Sequence, residues 1–106
     1  LLMNGRPGVY HQIHVASAAI TNNGALVVGG LGGTTQFFDT STAGSAILTN
    51  NAATLLGGSG QTIFHNSSTA ASSTITSKGA SLASGGTLGG LTQFTDTATA
   101  GMATLI

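Results

Sequence analysis

The sequence predicts an all-β chain folded as a parallel β-solenoid of about four coils, with 27–30 residues per coil. Three observations carry that expectation: a long segment that returns almost unchanged, short strand-like runs cut by Gly and Asn, and a composition of small, uncharged residues. Leu31 to Leu48 reads LGGTTQFFDTSTAGSAIL, and Leu88 to Leu105 reads LGGLTQFTDTATAGMATL. Thirteen of these 18 positions are identical at an offset of 57 residues. Between them lies a degenerate copy, with Phe64-His65-Asn66-Ser67-Ser68-Thr69-Ala70-Ala71 in the place of Phe37 to Gly44. A weaker copy begins near Tyr10 and is recognisable by Ala19-Ile20-Thr21-Asn22-Asn23. Self-similarity at such a period is the mark of a repeat architecture. Residues 1–106 are therefore read as one domain with approximate repeats 9–30, 31–58, 59–86 and 87–106. An antiparallel β-sandwich would explain short strands and Gly turns, but not the shared context of Phe37 and Phe94.

Gly, Thr, Ala and Ser supply 17, 17, 15 and 11 of the 106 residues. Disorder is the plain reading of such a chain, since few large side chains are available to offset chain entropy. Against it stand a hydrophobic fraction of 41% and the ordered recurrence of the small residues. The formal charges are Arg6, Asp39, Lys78 and Asp96, which sum to zero. Two cations cannot track a phosphate backbone, so nucleic acid is excluded as a natural partner. No run approaches the ~18 apolar residues of a membrane span, so no membrane insertion is expected. The absence of Cys excludes a disulfide framework and thiolate metal sites. No signal peptide is recognisable at Leu1 to Pro7.

Within one repeat, three strands are expected: Thr35–Phe38, Ser45–Thr49 and Ala53–Leu56. Each is too short for a helix, and none shows a 3.6-residue period. Thr and branched aliphatics favour the pleated state. Turns at Thr42-Ala43-Gly44, Asn50-Asn51 and Gly57-Gly58 divide the strands, since Gly and Asn tolerate positive φ. Equivalent residues of successive coils then stack about 4.8 Å apart. Tyr10, Phe37, Phe64 and Phe94 form an aromatic core column. Ile20, Leu48, Ile75 and Leu105 form an aliphatic column on the second strand. Val27, Leu55 and Leu82 form another on the third, with Ala25, Ala53 and Ala80 on the same face.

The unit Phe-x-Asp-x-Ser/Thr-Thr-Ala-Gly-x-Ala-x-Leu/Ile-Thr-Asn-Asn resembles the repeats of large bacterial exoproteins, namely autotransporter passengers and haemagglutinin-like adhesins. The resemblance covers about three of the four repeats. It implies a right-handed parallel β-helix and an extracellular or cell-surface setting. It brings no catalytic residue, because such passengers hold adhesins, fibres and enzymes alike.

Candidate chemistry is sparse. Asp39, Asn66 and Asp96 occupy one column, two residues after the stacked Phe. Two carboxylates two coils apart invite comparison with glycoside hydrolysis. Repeat symmetry, however, gives them identical surroundings, whereas an acid/base pair needs its two pKa values pushed apart. Asx residues before a turn ordinarily bond their own backbone, and no catalytic role is expected. His11 and His14 form an H-x-x-H, but residues three apart on a strand face opposite ways. His65 falls in the column of His11, and no third ligand completes a metal site. The Gly pairs open no helix and precede no P-loop Lys, so they are corners. Asn22-Asn23, Asn50-Asn51 and Ser77-Lys78 stack at another corner, where amides in register can form a ladder. Lys78 interrupts that ladder as a solvated loop tip.

Thr40, Ser67 and Thr97, with Thr42, Thr69 and Thr99, align as a hydroxyl array across coils. A flat, uncharged T-x-T face resembles that of β-solenoid ice-binding proteins. The expected function is therefore extracellular and structural or adhesive, not enzymatic, with no cofactor. An ice-binding solenoid is the alternative, and a polysaccharide-degrading enzyme is third. Expected partners are other copies of the chain or adjoining coils, with a carbohydrate or ice surface beside them. End-to-end assembly is expected because neither end offers a cap or a charge.

Overall fold

The computed structural model describes the backbone of residues 8–11 and, in full, residues 15–54, 56–80 and 88–106. Among the described residues, eight short strands follow one another: β1 (Gly8–His11), β2 (Ala19–Asn22), β3 (Thr34–Phe38), β4 (Ile47–Asn50), β5 (Gln61–Phe64), β6 (Thr74–Ser77), β7 (Leu91–Phe94) and β8 (Thr104–Leu105). Among the described residues there is no helix. Odd strands form one sheet in the order β1-β3-β5-β7, and even strands a second in the order β2-β4-β6-β8. Every strand pairing among the described residues is parallel. The chain thus alternates between two sheets and adds one strand to each per repeat, an arrangement compatible with a β-helix.

The registers follow the sequence repeat. Tyr10 pairs with Phe37, Phe37 with Phe64, and Phe64 with Phe94. In the second sheet Ile20 pairs with Leu48, Leu48 with Ile75, and Ile75 with Leu105. Phe37 and Phe64 stack with ring centroids 4.7 Å apart, and Phe64 and Phe94 with 4.9 Å. These separations equal the spacing of neighbouring strands, so the rings ride on the backbone pairing without tilting away from it. The side chain of Tyr10 lies outside the described residues. Ile20, Leu48 and Ile75 close the core from the other sheet, with Ala43, Ala46 and Ala70 filling the corner between.

That corner is built from backbone conformations only certain residues adopt readily. Asp39, Asn66 and Asp96 all have φ of 55–57°, and Gly44, Ala71 and Gly101 repeat a positive φ five residues later. Asx residues and Gly are the side chains that enter this region at least cost. Between the two bends a single residue per repeat keeps parallel pairing, as Thr42↔Thr69 and Thr69↔Thr99. From Phe to the facing aliphatic the count is always eleven: Phe37 to Leu48, Phe64 to Ile75 and Phe94 to Leu105. The shared count lets these three repeats reuse one corner, whereas Tyr10 to Ile20 in the first repeat is one residue shorter.

The return path departs from expectation. No third strand forms over Ala53, Thr54 and Leu56, and Val27 is exposed instead of buried. Leu55 and Leu82, the rest of that proposed column, lie outside the described residues. Ala25 and Ala53 are buried as expected, but Ala80 is exposed. The physical reason is unequal length. Main-chain bonds close the base of each loop: Gly33 N–H donates to Asn23 O, Gly60 N–H to Asn51 O, and Gly90 N–H to Lys78 O. The enclosed segments are 24–32, 52–59 and 79–89, that is nine, eight and eleven residues. Segments of different length cannot all hold one continuous parallel register. At the loop bases, a Cβ on Gly60 would overlap the Asn22 carbonyl, and one on Gly90 the Asn50 carbonyl. Glycine there lets each loop return beneath the Asn corner of the preceding repeat.

Candidate functional site

Five polar constellations emerge from these registers among the described residues. The most deeply set lies where the strands meet the return loops. Asn22 and Asn50 are fully buried, as are Thr35 and Thr62. Asn22 Nδ2 donates to Asn50 Oδ1 at 2.9 Å and to Thr62 Oγ1 at 3.2 Å. Thr35 Oγ1 donates to Asn22 Oδ1, and Thr62 Oγ1 to Asn50 Oδ1, each at 2.8 Å. Asn50 Nδ2 continues to the Leu91 carbonyl at 3.0 Å and to Thr92 Oγ1 at 3.1 Å. A second, outer rung joins Asn51 Nδ2 to Asn23 Oδ1 at 2.7 Å. The amide column was readable in the sequence; its threonine partners were missed. Their signal was the recurring Thr two residues before each stacked Phe: Thr35, Thr62 and Thr92. Buried polar groups satisfied in this way hold register and leave nothing free for a ligand. Lys78 is exposed, and its backbone serves the same corner, its N–H donating to Asn50 O.

The Asx column ties neighbouring repeats together. Asp39 N–H donates to Asn66 Oδ1 at 3.0 Å, and Asn66 N–H to Asp96 Oδ2 at 2.9 Å. The side chains of Asn66 and Asp96 thus reach the preceding repeat's backbone, where a bond to their own turn was expected. This occupies one oxygen of Asp96, and the Asn66 repeat lies between Asp96 and Asp39.

His65 stacks on Phe38 with centroids 4.2 Å apart. Its Nε2 lies 3.0 Å from Gln36 Oε1 and its Nδ1 3.0 Å from Thr95 Oγ1. His11 is in backbone register with Phe38, and His14 lies outside the described residues. Among the described residues, no three His, Cys, Asp or Glu side chains come together as a metal site would require.

The hydroxyl array at the corner is aligned, but its members bond one another and the backbone. Thr42 Oγ1 accepts from Gly44 N–H, and Thr69 Oγ1 from Ala71 N–H. Thr99 Oγ1 donates to Thr69 Oγ1, and Thr97 Oγ1 to the Asn66 carbonyl. Ser67 and Thr97 hydroxyls are 3.2 Å apart; Thr40 is exposed beside them. A different set points outward from the second sheet. Thr21, Thr49 and Thr76 pair in register, and beside them run Ala19, Ile47, Thr74 and Thr104. Strand alternation turns all of them away from the core. Among the described residues their hydroxyls have no protein partner.

No protein-family model, curated protein or solved structure matches this chain.

Proposed function

We propose that the chain is a right-handed parallel β-solenoid of about four coils, 27–30 residues each, that serves as a non-enzymatic structural or adhesive element outside the cell. In this reading the approximate coils are 9–30, 31–58, 59–86 and 87–106, and further coils stack on the edge formed by β7 and β8. The likeness of the repeat unit to bacterial exoprotein passengers supports the extracellular setting, and the polar ladders support a scaffold. The observation that carries the stacking is the contrast within one column: Ile75 is 1% exposed, whereas Leu105, paired beside it, is 53% exposed. Another coil laid on β8 would bury Leu105 as β8 itself buries Ile75. Neither β7 nor β8 contains a charged residue to oppose such pairing. The covering coil comes from another copy or from adjoining solenoid.

Electron microscopy and sedimentation test this. Rods longer than one chain are expected, and Leu105→Asp should shorten them. A monodisperse monomer at high micromolar concentration, with β7 and β8 amides protected from exchange, sinks the stacking.

A second reading, ice binding, is favoured by the free hydroxyls of the second sheet over those of the corner. Thr21, Thr49 and Thr76 repeat at the strand spacing of about 4.8 Å in one direction, with Thr74 and Thr104 about 6.7 Å along the strands in the other. Threonine is stiff at χ1, so the hydroxyls and methyls are presented in fixed rows. Ice-recrystallisation inhibition that disappears in Thr49→Glu but survives Thr40→Glu is the expected result. No inhibition by the unaltered chain ends this reading.

A further inference from the structure

The return loops invert the usual burial pattern. Their small residues Ala25 and Ala53 face the core, while Leu26, Val27, Val28, Leu31, Leu56 and Leu88 are between 51% and 89% exposed. Main-chain bonds hold these loops side by side. Gly29 N–H donates to the Leu56 carbonyl, Ala25 N–H to that of Gly58, and Ala53 N–H to that of Leu88. The six side chains therefore sit on adjoining segments of one flank of the molecule. Residues 24–32, 52–59 and 88–90 contain no charged side chain.

We propose that this loop flank is a lateral interface with a second copy of the same chain, related by a two-fold axis. The argument is one of area and chemistry. Six large apolar residues at these exposures present roughly 700 Å², more than the few hundred Å² of apolar patch a monomer ordinarily carries. It is also close to the ~800 Å² that each partner contributes to a standard interface. An uncharged aliphatic patch offers nothing to a charged or sugar ligand, since it lacks ions and aromatic faces. It is complementary to a surface like itself. An isologous pair covers both patches in one step and leaves neither exposed, whereas a head-to-tail contact would leave one open. This interface lies on the side of the solenoid and is separate from the β7/β8 edge.

The test is made in the Leu105→Asp chain, so that edge stacking does not contribute. Sedimentation equilibrium should give a dimer, and adding Leu26→Asp and Leu31→Asp should weaken it by roughly a hundredfold, because each buries a carboxylate in an apolar interface. Circular dichroism must remain that of the parent. A second variant guards against misfolding: Leu31→Cys, the only thiol in the chain, should give a dimer on treatment with a bis-maleimide. The proposal is overturned if the Leu105→Asp chain is a monomer at high micromolar concentration. It is equally overturned if the chain dimerises as tightly with both loop aspartates present. Binding to neutral phosphatidylcholine vesicles by a monomeric chain, lost with those aspartates, would assign the flank to a lipid surface and also overturn it.

Discussion

Phe64→Ala should lower the free energy of unfolding by about 3–5 kcal/mol, the range for truncating a buried aromatic side chain. Phe64 is fully buried and is the middle ring of the column, with Phe37 stacked on one face and Phe94 on the other. Its removal leaves a cavity that the parallel backbone cannot close, because β3 and β7 are held apart by β5. It also deletes two ring contacts, each contributing about 0.5–1.5 kcal/mol beyond burial. Phe94, stacked on one side only and only partly buried, should cost less when changed to Ala. Urea titration of both variants gives the comparison. A loss below about 1 kcal/mol for Phe64→Ala would contradict the interior column.

Asn50→Leu is the second large effect, about 3–5 kcal/mol, although leucine has the same number of side-chain heavy atoms and the same branching at Cγ. The loss comes from stranded partners. Thr62 Oγ1 is deprived of its acceptor and the Leu91 carbonyl of its donor. Asn22 Nδ2 keeps only Thr62 Oγ1, and Thr92 Oγ1 loses the amide beside it. Each buried polar group left unsatisfied costs about 1–3 kcal/mol. Thr49→Val, one residue earlier and facing outward, serves as the control and should change stability by less than about 0.5 kcal/mol. Thermal and urea denaturation of the two variants decide the matter: equal effects would mean that the ladder does not hold the register.

Much of this arrangement was legible in the sequence. Because strand side chains alternate with a period of two, a repeat of 27–30 residues places Phe above Phe and Leu above Ile once the strands run parallel. Phe37, Phe64 and Phe94 therefore stack where the repeat puts them. The Asx column was also visible, since Asp39, Asn66 and Asp96 precede the same turn. Its bonding partner was not, because an Asx side chain can reach either its own turn or the repeat beside it, and only the register selects between them.

The sequence by itself determined the repeated strand and corner, and with them the aromatic and aliphatic columns, through alternation and an eleven-residue spacing shared by the last three repeats. The tertiary structure alone decided the fate of the return path. Ala25-Leu26-Val27 reads like a strand and yet leaves Val27 exposed, because a continuous parallel ladder requires equal path lengths and the segments between the loop-base bonds are nine, eight and eleven residues long. It also decided which hydroxyls are free. Thr42 and Thr49 are the same residue type seven positions apart. Thr42 is spent on the Gly44 amide at a bend of positive φ, whereas Thr49 stands on an extended strand whose backbone bonds only to its neighbours, leaving the hydroxyl to solvent.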